Sequence, residues 1–150
     1  MKNKIENLLN KNYSQIDEEL KYHLQNHICI LISGYLETEI NNQLNDYKKT
    51  NHFKRNECSK KLAGESLQNA TWCKIKPILG TIDDSFPVNL RNSIIDFDLT
   101  IQAIKSIIDN RNDIAHGKNI TTLTMDILKQ NFIITDKFIS ELKTKFSAYQ

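Results

Sequence analysis

The chain has 150 residues, of which 39% are hydrophobic and 25% charged, a composition ordinary for one globular domain with a buried core. Its formal net charge of +2 is too small to indicate a nucleic-acid binder, so such a role would need local clustering of cations. No apolar stretch resembles a signal peptide or approaches the roughly 18 residues of a membrane helix. We therefore expect a single cytoplasmic domain over residues 1–150, without a membrane partner and with reduced cysteines.

The first third of the chain has helical periodicity. Residues 1–12 are predicted to hold one short helix, and a long helix is predicted from Ser14 to about Tyr47. Ser14 and Asp17 form the capping pattern that marks its start. Its apolar residues recur at three- and four-residue steps, at Ile16, Leu20, Leu24, Ile28, Leu31, Ile32 and Tyr35. This long helix is expected to be the central element of the fold.

The residues after the long helix alternate between polar connectors and shorter helical patterns. A helix is predicted over residues 66–79, a loop over 80–87, and another turn or two of helix within 88–97. Pro77 predicts a kink or an early stop in the first of these. With only four glycines and two prolines in the chain, few breakers oppose helix formation.

Two further helices are predicted towards the C-terminus. One begins at Asp98, as its cap, and ends before Gly117; the other begins at about Thr124. The apolar face of the last helix comprises Leu128, Phe132, Phe138, Ile139, Leu142 and Phe146. Because no stretch shows sustained period-two alternation, we predict an all-α, up-and-down helical bundle with a long first helix.

A basic connector follows the long helix. Residues 48–61 contain six cationic side chains, among them Lys54 and Arg55, against the single acid Glu57. This connector has two interpretations, contact with a phosphate backbone or a solvated loop.

Motifs for metal or nucleotide chemistry are weak. Glu19, His23 and His27 are spaced by four and could share a helix face, but the sequence indicates no further ligands. No glycine-rich phosphate loop, paired CxxC or HExxH occurs. We predict no metal and no cofactor.

The most informative stretch, residues 111–117, reads RNDIAHG. On a helical wheel at roughly 100° per residue, Arg111 lies within about 80° of apolar side chains. These are Ile101, Ile104, Ile107, Ile108, Ile114 and Ala115. A guanidinium there needs a carboxylate, a ligand or a second subunit opposite it. Glu37 and Glu39, on or beside apolar faces of the long helix, are the two candidate partners.

The end of this helix brings an imidazole close to the arginine. Asn112 lies one turn before His116 and could reach its ring. Gly117 is expected to end the helix as a C′ glycine, which places His116 at the open C-terminus. A cation, an amide and a terminal imidazole together indicate phosphate chemistry.

These residues resemble a known signature. Arg111 to His116 fits the R-x4-H signature, with a polar residue directly after the arginine, of the HEPN superfamily (higher eukaryote and prokaryote nucleotide-binding domains). Residues 32–37, ISGYLE, resemble the first-helix segment of its RiboL-PSP-HEPN branch and end in that branch's glutamate. The resemblance extends over nearly the whole chain.

The resemblance implies an activity and an assembly. Active members are metal-independent endoribonucleases, frequently toxins of toxin–antitoxin or anti-phage defence systems, with a composite active site at the interface of a homodimer. Cleavage by the RNA 2′-hydroxyl implies 2′,3′-cyclic phosphate and 5′-hydroxyl products. The alternatives are a non-catalytic HEPN module that binds RNA or nucleotide or assembles a defence complex, and a bundle without HEPN function.

The resemblance also implies roles for individual residues. His116 would be the general acid/base, and Arg111 would bind the scissile phosphate. Asn112 would orient His116 or contact RNA, and Glu37 would hold Arg111 in its rotamer. Lys118 stands where some toxins carry a tyrosine modified with AMP, so control by AMP transfer is not expected and any antitoxin partner stays open. Lys118, Lys54 and Arg55 are candidate RNA contacts.

Overall fold

A computed structural model describes residues 1–49, 67–118, 120 and 123–148. Within these residues the chain forms six helices and no strand. They are α1 (Lys2–Leu9), α2 (Glu18–Lys49), α3 (Trp72–Ile82), α4 (Phe86–Ser93), α5 (Phe97–Ala115) and α6 (Met125–Ser147). The predicted all-α fold is confirmed, and the predicted long helix is α2, preceded by the short α1.

The core is built by α2, α5 and α6, each of which packs against the other two. Cys29 of α2 donates its thiol to the Ile107 carbonyl of α5, and the Tyr22 hydroxyl, earlier on α2, accepts from the N–H of Ile120, after α5. These paired positions show that α2 and α5 run in opposite directions. α1 packs on α2 and α6, while α3 packs on α4 and α4 on α6.

The start of α2 lies later than predicted. Asp17, not Ser14, caps the helix, because its Oδ1 accepts from the N–H of Leu20 at 2.7 Å. Ser14 donates its N–H to the Asn12 side chain in a local turn, and the Tyr13 hydroxyl donates to the Leu8 carbonyl. These bonds give the residues before Asp17 a non-helical structure that periodicity alone does not detect.

The predicted boundaries of the two shorter helices are wrong. α3 begins at Trp72 rather than residue 66, and it continues through Pro77 to Ile82. Buried residues before and after the proline, Ile75, Ile78 and Leu79, anchor the helix to the core and offset the lost hydrogen bond. α4 begins at Phe86, with Pro87 in its first turn, so the connector comprises residues 83–85 and not 80–87.

The boundaries of the two C-terminal helices agree more closely with those predicted from the sequence. α5 begins at Phe97, one residue before the predicted cap Asp98, which instead lies in the first turn and forms an exposed ion pair with Arg91 at 3.7 Å. α6 begins as predicted, with the Thr124 side chain accepting from the Ile127 N–H. Its predicted apolar face is buried. Among the helices described, none is both long and apolar enough to span a bilayer.

Candidate active site

The C-terminal end of α5 fixes the position of His116. Gly117, with φ of 71°, donates its N–H to the Ile114 carbonyl, and Lys118 donates its N–H to the Asp113 carbonyl at 2.9 Å. This pair of bonds is a Schellman motif in which His116 is the C-cap residue. The imidazole is exposed at the helix end, as the glycine predicts.

Arg111 lies one turn earlier and is half-buried. Its Nη1 donates to the side-chain oxygen of Asn112 at 3.0 Å and to that of Asn69 at 3.4 Å. The Asn112 side chain therefore contacts the arginine, whereas its backbone carbonyl accepts the N–H of His116. Within the described residues no hydrogen bond joins the Asn112 side chain to the His116 ring, the contact that its spacing suggested.

Both acceptors of the Arg111 guanidinium are uncharged amide oxygens. In the part of the chain that the structure describes, no carboxylate lies within ion-pairing distance of this guanidinium. Two amide oxygens orient Nη1 without neutralising its charge, and among the described residues no acceptor is bonded to the other guanidinium donors. The described part of the site thus presents a positive charge without an ion-pair partner.

Glu37 approaches Arg111 indirectly. Its Oε1 accepts the backbone N–H of Asn69 at 2.6 Å, and Asn69 in turn accepts from Arg111. Glu39 belongs to another face of α2, where its charge helps to raise the pKa of Tyr35, behind the larger effects of burial and of the Asp136 carboxylate. Of the two candidate partners, Glu37 is the one connected to the arginine, through an intervening residue.

The segment that carries Asn69 is irregular and attached to α2. The Asn41 side chain donates to the Leu67 carbonyl at 3.1 Å and accepts the Leu67 N–H at 2.9 Å. Glu37 and Asn41 are four residues apart on α2, so one helix face binds the segment at two points. Asn69 itself has a left-handed backbone with φ of 52°.

Sequence reasoning missed Asn69 and Asn41. Asn69 belongs to the stretch predicted as helix, and its interaction with Arg111 joins residues 42 positions apart. The available signal is that asparagine is enriched in left-handed conformations, so an asparagine shortly before a helix is a candidate turn residue.

One comparison with known proteins gives a match. The family model of RiboL-PSP-HEPN matches residues 2–148, nearly the entire chain. The chain belongs to the RiboL-PSP-HEPN family. No curated protein and no solved structure matched it in the corresponding comparisons.

Of the three cations predicted to contact RNA in this HEPN domain, the structure describes one. Lys118 lies beside the site, and its ammonium pairs with Asp113 at 2.7 Å, with the lysine side chain exposed and the aspartate half-buried. Lys54 and Arg55, with most of the basic connector, lie outside the described residues.

The histidines of α2 do not join the HEPN site. His23 and Glu19 are exposed and their side chains lie 4.0 Å apart. Among the described residues no group of three potential ligands is arranged to hold a metal ion.

Proposed function

We propose that this HEPN protein is a metal-independent endoribonuclease, a toxin or anti-phage effector, whose active site is shared between the two subunits of a homodimer. The observation that carries the proposal is the half-buried Arg111, oriented by Asn69 and Asn112 yet without a carboxylate partner among the described residues. An oriented, uncompensated guanidinium suits a phosphodiester, whose oxygens accept its paired donors. The exposed His116 at the end of the same helix supplies an imidazole for proton transfer.

The proposed reaction uses a nucleophile that the RNA provides. The 2′-hydroxyl loses its proton to a base and attacks the adjacent phosphorus, and the bond to the 5′-oxygen breaks as that oxygen gains a proton. His116 carries the proton transfer, and Arg111 stabilises the charge that develops on the phosphoryl oxygens. The products are a 2′,3′-cyclic phosphate and a 5′-hydroxyl.

Cleavage tests the proposal directly. Wild type and His116→Ala are incubated in EDTA with total tRNA and with DNA of matched length, and 3′ ends are probed for cyclic phosphate. The proposal predicts that wild type cuts RNA, leaves DNA intact because it lacks the nucleophile, and loses the activity in His116→Ala. If wild type cuts neither RNA nor DNA and its overexpression does not arrest growth, the non-catalytic HEPN module is favoured.

Mixing two inactive variants tests the shared site. If one subunit supplies Arg111 and the other His116, a heterodimer of Arg111→Ala and His116→Ala retains one intact site. Co-expressed and purified as a mixed dimer, the two variants should therefore recover activity that neither has alone. Failure to recover activity in a confirmed heterodimer would place both residues of each site in one subunit.

A further inference from the structure

Asn69 occupies a position that connects α2 to the arginine of α5. Its N–H donates to Glu37 at 2.6 Å and its side-chain oxygen accepts from Arg111 at 3.4 Å. The two adjoining backbone contacts of Leu67 with Asn41 hold the segment in register with α2. The location of the Asn69 amide is therefore set by the core helix rather than by a free loop.

The identity of this residue matters because two requirements coincide. The left-handed backbone, with φ of 52°, favours glycine, asparagine or aspartate. The contact with Arg111 requires a side-chain acceptor, which glycine lacks. Aspartate would satisfy both requirements but would neutralise the guanidinium. Asparagine orients the cation and leaves its charge in place.

The Glu37 carboxylate does not contact the Arg111 guanidinium directly. The Glu37 carboxylate binds the Asn69 backbone, so Asn69 lies between the negative charge and Arg111. We propose that Asn69 is a positioning residue that directs the Arg111 guanidinium towards a phosphodiester while preserving its charge. This inference rests on the proposed function and extends it to a residue outside the R-x4-H signature.

Two variants separate orientation from charge. Asn69→Gly tolerates the left-handed backbone and removes the amide, whereas Asn69→Asp keeps an acceptor and adds a carboxylate. Affinity is measured by fluorescence anisotropy over a range of salt concentrations, with an oligoribonucleotide whose 2′-hydroxyls are methylated and which therefore cannot be cut. Gln68→Glu is the matched control, because Gln68 is exposed and one residue away and gains the same charge.

The expected order of affinity is the reverse of the order that a structural role gives. Asn69→Asp should bind about tenfold more weakly than wild type, with a salt slope smaller by about one phosphate contact. Asn69→Gly should bind with an intermediate loss, and Gln68→Glu should stay close to wild type. If Asn69 merely supported the fold, Asn69→Gly would be the worst variant and Asn69→Asp the best tolerated.

Acidification supplies a second readout. Below the pKa of the introduced carboxyl, Asn69→Asp should regain affinity relative to wild type at the same pH, because the new group becomes neutral. No regain, or equal binding by wild type and Asn69→Asp at neutral pH, would overturn the inference.

The outcomes separate the two proposals. If wild type binds the oligonucleotide but cuts no RNA, the proposed ribonuclease activity is overturned. The affinities of the Asn69 variants still test the positioning role of Asn69. A wild type that neither binds nor cuts overturns both.

Discussion

Arg111 depends on geometry that a lysine cannot reproduce. One guanidinium nitrogen contacts the oxygens of Asn69 and Asn112, and the part of the chain that the structure describes offers the other donors no acceptor. An ammonium is a compact point charge and lacks this planar fork. We expect Arg111→Lys to cut RNA at least about tenfold more slowly in single-turnover assays, because the paired donors towards phosphate are lost.

The control for Arg111→Lys is thermal stability. Since the charge is retained and the residue is half-buried, the melting temperature should change little, which separates a catalytic loss from unfolding. Cleavage at the wild-type rate would show that a positive charge alone suffices and would contradict the role given to the two amide oxygens.

Cys29 is a buried thiol at the contact between α2 and α5. Burial raises its pKa to about 12 from an ordinary value of about 9. Because the unfolded chain ionises this thiol first, the associated stability is complete below about pH 9 and is lost progressively up to about pH 12. Cys29→Ala should therefore lose less stability than wild type over this alkaline range.

Urea unfolding at neutral and alkaline pH measures the effect, as the difference between the pH dependences of the two proteins. Cys73→Ala is the matched control, since Cys73 is exposed and should leave the alkaline loss unchanged. Equal pH dependence of wild type and Cys29→Ala would show that the thiol is ionised to the same extent in both states.

For single residues, the sequence predicts which side chain needs a partner but not which residue binds it. The apolar periodicity of α5 identifies Arg111 as a cation in an unfavourable setting, and the structure finds it half-buried. Its contact with Asn69 depends on a left-handed turn and on the attachment of a distant segment to α2. Neither feature has a periodic signal, so local reasoning selects the acids of α2 instead.

The end of α5 illustrates how one glycine determines an element. Gly117 has φ of 71°, and a Cβ added there would meet no atom within 4 Å. The cost of Gly117→Ala is therefore conformational rather than steric, about 1 kcal/mol in the free energy of unfolding. We also expect slower RNA cleavage, because the Schellman motif that places His116 is weakened.

Gly80→Ala is the matched substitution and is expected to change the free energy of unfolding in the opposite direction. Gly80 lies inside α3, and a Cβ there would make an ordinary contact with Pro87 at 3.9 Å. Alanine should stabilise the helix by about 0.5 to 1 kcal/mol. Chemical unfolding of both variants measures the two effects, and the same sign for both would contradict this account of Gly117.

Elements with strong periodicity are predicted well, and those with local side-chain bonds are not. α6 begins at its predicted start and buries its predicted face, because a long amphipathic pattern and the threonine that caps the helix agree. α3 begins six residues later than predicted, at Trp72 rather than 66. There, Glu37 accepts the Asn69 N–H and Asn41 binds the backbone of Leu67, and these bonds hold residues 67–69 in an irregular conformation.

At the scale of the whole molecule, one exposed apolar face runs along α5 and α6. Leu99 and Ile134 line two adjoining shallow cavities on it. Leu99 is 54% and Ile133 45% exposed, an unusual grouping for a surface that faces water. The face shares α5 with Arg111 and His116, so a partner bound to it would lie on the helix that carries the site.

We expect a second copy of the chain to cover this face. Lys137 and Glu141 both line its edge, so a two-fold axis can place the lysine of one subunit against the glutamate of the other.

The double variant Leu99→Lys/Ile133→Lys puts like charges into the proposed interface and should convert the dimer to a monomer in light scattering, with an unchanged helical circular dichroism spectrum. Val88→Lys, at a residue 57% exposed on α4, is the control that keeps the dimer. A double variant that stays dimeric would place the interface on another surface.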